Sequence, residues 1–230
     1  DAGRAKLLFS YTSEKSSDSD TKATAEFTND QENEGNIVYG NVGYDLNENS
    51  SISLSVENLS RESETTEGSG NLGVVSGRTQ SKYVYDNSVD KSKIVFKYEY
   101  EKLDNSNFID GVTAKIYHQN AEVDDNKLEW GTRTSGTTNY YREDIYEFDE
   151  EAIGFDLQLV KNKEISNANH KISYGGSYSN TTNERPRTKY ETDLDTGVRT
   201  TVSDTPTLDF PESDTKRVGI FLQDEITFDN

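Results

Sequence analysis

K-I-V-F-K-Y-E-Y-E, Lys93 to Glu101, is the stretch that decides the fold. Ile94, Phe96, Tyr98 and Tyr100 fall on one side of an extended chain, and Lys93, Lys97, Glu99 and Glu101 on the other. A repeat of two marks a β-strand with one apolar and one polar face. The pattern recurs on both sides of this stretch. Ile52, Leu54 and Val56 alternate with Ser51, Ser53, Ser55 and Glu57; Val112, Ala114 and Ile116 alternate with Thr113, Lys115 and Tyr117. Ile153, Phe155, Leu157 and Leu159 alternate with Gly154, Asp156 and Gln158, and Ile172, Tyr174 and Tyr178 with Lys171, Ser173 and Ser177. Near the end Val218, Ile220 and Leu222 alternate with Gly219, Phe221 and Gln223. Helical spacing never competes for more than a couple of turns, so the chain reads as all-β.

Composition restricts what kind of β protein this is. The 230 residues carry 24 basic and 43 acidic side chains, a net charge of −19, which repels nucleic-acid phosphate and excludes a general DNA- or RNA-binding role. There is no cysteine, hence no disulfide, thiolate metal site or cysteine nucleophile. Leu, Ile, Val and Phe make 47 of the 230 residues, too little for a thick soluble core and close to a disordered composition. Yet 14 Tyr, 9 Phe and 1 Trp are too many for a solvating tail. No apolar run reaches the roughly 18 residues of a transmembrane helix, and no basic-then-apolar leader opens the chain. The absence of methionine reads as a processed or excised piece of a longer product.

Connection lengths point to an antiparallel transmembrane β-barrel. Short polar turns at Asp45 to Ser50, Leu103 to Asn107 and Lys161 to Asn169 alternate with long polar stretches at about 60–90, 123–147 and 181–215. Short turns on one side and long extracellular loops on the other are the habit of membrane barrels. The proposed strands meet the roughly 9–11 residues that cross a bilayer at a tilt. Such a wall needs apolar residues only at every second position, which accounts for the apolar shortage. Pro186, Pro206 and Pro211 all fall in the last long stretch and interrupt no proposed strand. Tyr44, Tyr98, Tyr100, Phe108 and Phe228 lie near the short-turn ends, where an aromatic girdle would sit; the general enrichment of aromatics in strands accounts for them equally.

R-V-G-I-F-L-Q-D-E-I-T-F, Arg217 to Phe228, resembles the G-hydrophobic-F-x-Q-D-E strand of TonB-dependent outer-membrane receptors. Four other stretches are similar to the haemoglobin/haem receptor branch of that family. They are Gly3 to Ser13, Asn41 to Thr65, Phe108 to Glu122 and His170 to Arg187. The resemblance implies that residues 1–230 are the N-terminal third to half of a barrel of 22 strands around a plug, with about nine or ten strands here. It implies location in the outer membrane of a Gram-negative bacterium and contact with its lipid. It also implies uptake of iron as haem or haemoglobin, coupled to TonB through a plug and TonB box that this sequence does not contain. A ferric siderophore is the alternative cargo; a surface β protein or a porin-like channel without energy coupling are alternatives of other classes. One mismatch stands in the strand count. Arg4 should open an upward strand and Asn36 a downward one, with Thr21 to Thr28 between them, so either a strand is missing between Thr28 and Asn36 or the boundaries shift.

Few residues suggest chemistry. His118 continues a strand face and His170 opens a strand; both read as structural or surface residues. The acids at Asp18 to Asp20, Asp124-Asp125-Asn126 and Asp193 to Gly197 (DLDTG) invite calcium, but none has the full EF-hand spacing, and solvated loop acids are the plainer account. Thr192 to Val202 reads as a β-ribbon with Thr-Gly at its tip. Asp224 and Glu225 point to opposite faces and cannot flank one substrate. Tyr140, Tyr141 and Tyr146 either line a ligand-facing loop or pack loop against loop. The sequence nominates no catalytic residue, assigns no cofactor-binding residue and offers no metal-ligand set, so an enzyme is not expected.

Overall fold

The computed structural model describes residues 4–17, 29–101, 109–165, 167–203 and 212–228. They form one antiparallel sheet of 11 strands and a single 3-10 turn, Ser69–Asn71. The strands are β1 (Ala5–Ser17), β2 (Asp30–Asn47), β3 (Ser50–Thr66), β4 (Val74–Val75), β5 (Arg78–Glu101) and β6 (Gly111–Arg133). They continue as β7 (Asn139–Ile165), β8 (Ala168–Glu184), β9 (Arg187–Asp193), β10 (Arg199–Ser203) and β11 (Ser213–Phe228). Across the sheet the order is β1-β2-β3-β5-β6-β7-β8-β11, an up-and-down meander whose edges do not pair with each other among the described residues. β4 is a two-residue strand turned back on β5 through Ser76 and Gly77, whose φ angles of 49° and 79° suit a type I′ hairpin.

The polar stretches expected as long loops are mostly strand. β3 runs to Thr66, β5 starts at Arg78, β6 runs to Arg133 and β7 starts at Asn139, so pairing continues through most of 60–90 and 123–147. Period two persists there with polar residues on both faces, which removes the hydrophobic contrast that marks a strand in sequence. The 27 residues of β7 extend roughly 90 Å at the usual ~3.4 Å per residue. β5, β6 and β7, at 24, 23 and 27 residues, far exceed the roughly 9–11 that cross a bilayer.

Two further expectations change. β1 pairs directly with β2 and antiparallel to it, from Ala5↔Tyr44 to Ser17↔Glu32, so an upward first strand lies beside a downward second one. β2 itself occupies 30–36, and the strand count closes without an extra strand there. Thr21 to Thr28 lies outside the described residues, as do Phe108, Pro206, Pro211, the Leu103 to Asn107 turn and the Asp18 to Asp20 acids. Pro186, in contrast, does interrupt a strand. The pairing that runs from Ile165↔Ala168 to Asp149↔Glu184 resumes unshifted at Tyr146↔Arg187 and ends at Tyr140↔Asp193. β8 and β9 are one extended run in a single register. Pro186 has no N–H to give to β7, although its carbonyl still accepts from Glu147 N at 3.1 Å.

Register places the apolar residues on one face. Leu7, Val42, Leu54, Phe96, Ile116, Phe155, Tyr178 and Val218 are successive cross-strand partners over all eight strands of the meander. The next row towards the short turns is Ala5, Tyr44, Ile52, Tyr98, Ala114, Leu157, Gly176 and Ile220. On the opposite face the row through Lys97 holds Lys6, Gly43, Ser53, Lys115, Asp156, Ser177 and Gly219. Phe221 lies on that second face against Gly175, where an added Cβ would stand 1.9 Å from the Leu157 carbonyl oxygen and 3.0 Å from the Phe221 ring. An aromatic ring laid over a strand glycine restores packing that the glycine lacks. Among the described residues few apolar ones are buried: Val84, Tyr140, Ala152 and Ala168. The described sheet is one layer, with no second layer to make a core.

Candidate functional site

Two surfaces stand out, one on each face. The face that carries Phe96 has an apolar band lying open. Leu7 is 79% exposed, Val218 77% and Ile220 89%. A contiguous apolar surface of this kind on a folded chain marks an interaction with lipid or protein. The band is not level with the rungs. On β1 and β2 it reaches Tyr11 and Val38, but the rung through these two continues as Asn58, Ser92, Asn120, Glu151, Thr182 and Asp214. On β11 its upper limit is Val218, one of the partners in the Leu7 row, and Ile226 and Phe228 extend it towards the short turns. The apolar stretch slides along successive strands, the stagger expected of strands tilted with respect to a slab. Tyr44, Tyr98 and Tyr100 lie on this face at the short-turn end.

Beyond the band the same face turns acidic. Asp90, Glu122, Asp149 and Glu184 are direct partners across four strands. Like charges so placed repel. Burial raises the Glu147 carboxyl above its ordinary range, with Asp124, Asp149 and Glu122 adding to the rise. His118 is at the upper limit of the band and meets Glu151 Oε1 through Nε2 at 2.9 Å; His170 meets Asp224 Oδ2 through Nδ1 at 2.8 Å. Both histidines are exposed or near the surface and each faces a carboxylate. Asp124 accepts from Ser88 Oγ at 3.3 Å. In DLDTG, Asp193 Oδ1 accepts from the backbone N–H groups of Asp195 (2.9 Å) and Thr196 (2.8 Å), which lowers its pKa. Asp195 accepts from Asn139 N at 3.1 Å. These acids shape the β9–β10 turn, with Gly197 at φ 72°, and the ribbon forms where the sequence places it. Among the described residues no group of three or more His, Asp or Glu is arranged to hold a metal ion.

The second surface is distal, on the face that carries Lys97, where β5, β6, β7 and β9 run on past the band. Tyr140, which is fully buried, donates to Glu129, while Arg133 donates to Glu191. The Arg78 guanidinium lies 5.6 Å from the Tyr140 ring centre and 3.9 Å from both glutamates. Gly131 makes the room: a Cβ there would stand 2.2 Å from the Thr79 carbonyl oxygen and 2.7 Å from the Tyr140 hydroxyl. Alongside, Asp144 takes Arg142 Nε at 2.9 Å and Lys189 Nζ at 3.0 Å. Burial alone would raise the Asp144 carboxyl, but these two cations outweigh it and the net shift is downward. Burial raises the Tyr140 and Tyr83 phenols well above their ordinary value, helped by Glu129 and by Tyr85 respectively.

The three tyrosines singled out in sequence thus separate. Tyr140 is buried and bonded to Glu129. Tyr141 points to the Phe96 face, stacked on Trp130 at 4.7 Å between ring centres, and is pushed up to about 12 by burial and by Glu143. Tyr146 is on the Lys97 face, with Lys127 Nζ at 4.9 Å and Arg187 Cζ at 4.2 Å from its ring centre. Trp130, Lys127, Arg187, Arg78, Glu129 and Glu191 gave no signal in sequence, because the stretches holding them read as loop. Extending the count of alternate positions through 123–147 would have put Lys127 and Tyr146 on one face. The chain matches no protein-family profile and no curated protein.

Proposed function

We propose that this chain is a wall segment of an outer-membrane β-barrel, within a TonB-dependent receptor that imports iron as haem. The observation that carries the reading is the apolar row running unbroken through Leu7, Phe96 and Val218 on one face of a one-layer antiparallel meander. A bilayer is the partner that suits an open apolar band whose height drifts from strand to strand. The tyrosines at the short-turn end would then stand at the periplasmic interface. The polar strand extensions, the β9–β10 ribbon and the loop from 67 to 77 would project outside the cell. The strand Arg217 to Phe228, with its G-x-F-x-Q-D-E pattern, supports assignment to the TonB-dependent family.

Reading the encoding gene tests the class. A plug domain and a TonB box upstream of Asp1 are expected; their absence from the full-length gene sinks energy coupling and leaves a porin-like channel or surface β protein. For cargo, the full receptor is titrated with haem and followed by Soret absorbance. A saturable shift is expected, whereas no shift with folded receptor moves the cargo to a ferric siderophore.

A further inference from the structure

In a chain with 43 acidic and 24 basic residues, two cations gathered on one phenol ring stand out. Elsewhere on the distal sheet Arg133, Arg142, Lys189 and Arg199 all have a carboxylate neighbour. Lys127 and Arg187 do not: among the described residues no carboxylate oxygen lies within 4.0 Å of either. Both instead crowd Tyr146. Arg187 donates through Nη2 to the Tyr146 hydroxyl, and its buried Nε–H has no acceptor. Lys127 Nζ is also 6.0 Å from the Tyr85 ring centre, so it sits between two phenols. Neither nearby acid pairs with these cations. Asp144, opposite Lys127, is held by Arg142 and Lys189, and Asp125, opposite Tyr146, pairs with neither cation.

Register puts Tyr85, Lys127, Tyr146 and Arg187 on the Lys97 face, the side away from the apolar band. Two like charges against one ring repel each other, and a guanidinium N–H out of water without an acceptor is costly. One oxyanion between the two charged heads would relieve the repulsion. We infer that Lys127 and Arg187, gathered on the Tyr146 ring, form a site for a carboxylate group of the imported ligand, with Tyr85 and Tyr146 as its aromatic walls. Arg supplies directed N–H donors and Lys a point charge, while the rings hold both heads in place. This inference rests on the barrel reading, which turns the Lys97 face towards the lumen and its outer mouth.

The test uses the full-length receptor in detergent and two independent readouts. In the first, Lys127 is labelled with an amine-reactive ester in rising concentrations of iron-free citrate, and labelling is quantified by peptide mass spectrometry. Citrate is expected to protect Lys127, and to lose that effect in Arg187→Gln but not in Arg187→Lys. Equal labelling of the wild-type receptor with and without citrate overturns the site, and this arm requires no variant to fold. In the second, haem is compared with its dimethyl ester, in which both carboxylates are masked. Lys127→Gln/Arg187→Gln is expected to weaken haem binding about tenfold or more while leaving the ester unchanged. Equal weakening of both forms, or of neither, contradicts carboxylate recognition. Citrate protection in a receptor that binds neither haem form upholds the site and removes haem as the cargo.

Discussion

Tyr140 shows how much a single position depends on its partners across the sheet. Its hydroxyl reaches Glu129 only because Gly131, directly opposite, has no side chain. Tyr140→Phe leaves a nearly buried carboxylate short of a donor and should cost about 1–3 kcal/mol, read as a lower denaturant midpoint. Phe96 poses the opposite case, a large apolar side chain that is exposed in the isolated sheet. In lipid vesicles Phe96→Lys and Ile94→Lys should each cost about 2–4 kcal/mol if near the midplane, whereas Lys97 and Glu99 substitutions should be mild. Equal tolerance on both faces would contradict the membrane reading. Phe96 and Lys97 were legible because apolar contrast marks alternate positions. Tyr140 was not: its burial is set by residues one strand away, and no local spacing reports on Gly131 or Glu129.

At the scale of elements, the extensions beyond the band carry their own electrostatics. Burial raises the phenols of Tyr83, Tyr140 and Tyr141, so the folded state favours their neutral form. Their contribution is complete below the ordinary tyrosine value of about 10 and is lost as pH rises through the folded values. An alkaline titration followed by tyrosinate absorbance should show a late-ionising class, with the distal strands loosening as it titrates. Asp144 has the opposite sign. Its lowered value contributes stability at neutral pH that is lost as pH falls through the folded value, below the ordinary aspartate range. The acidic row predicts a salt effect. Glu122 stands between Asp90 and Asp149, so Glu122→Gln should raise the melting temperature at low ionic strength, with the gain shrinking as salt is added. Element type was legible wherever the two faces differ in polarity. Element length was not, since β5, β6 and β7 continue for many residues with polar side chains on both faces. The register across Pro186 was equally hidden, because a proline in sequence reads as a boundary.

For the whole molecule, the meander fixes which ends lie together. The β2–β3 turn and the β7–β8 turn share one end; the Gly136 turn and the β9–β10 tip share the other. Residues 1–230 contain no cysteine, so an introduced thiol is the one thiol of this segment and its labelling can be read on its own peptide. In intact cells Thr196→Cys should react with a membrane-impermeant maleimide, and Asn49→Cys only after the outer membrane is permeabilised. The reverse pattern would invert the proposed orientation. All-β architecture was readable from period two alone. The carboxylate site was not, since it draws on β5, β6, β7 and β9, which come together only when their registers are known.

Strand order also bears on how such a wall is assembled. Most strands of the main path pair with the next one in the chain, β11 on β8 being the main exception, and each such pairing can start at its turn and zip outward. Short closures carry a small entropic cost and favour fast formation. A hairpin can therefore add to the one before it as the polypeptide arrives, with β8 and β9 zipping along β7 in one register past a single missing rung. Growth by annexation needs no distant partner as far as β8.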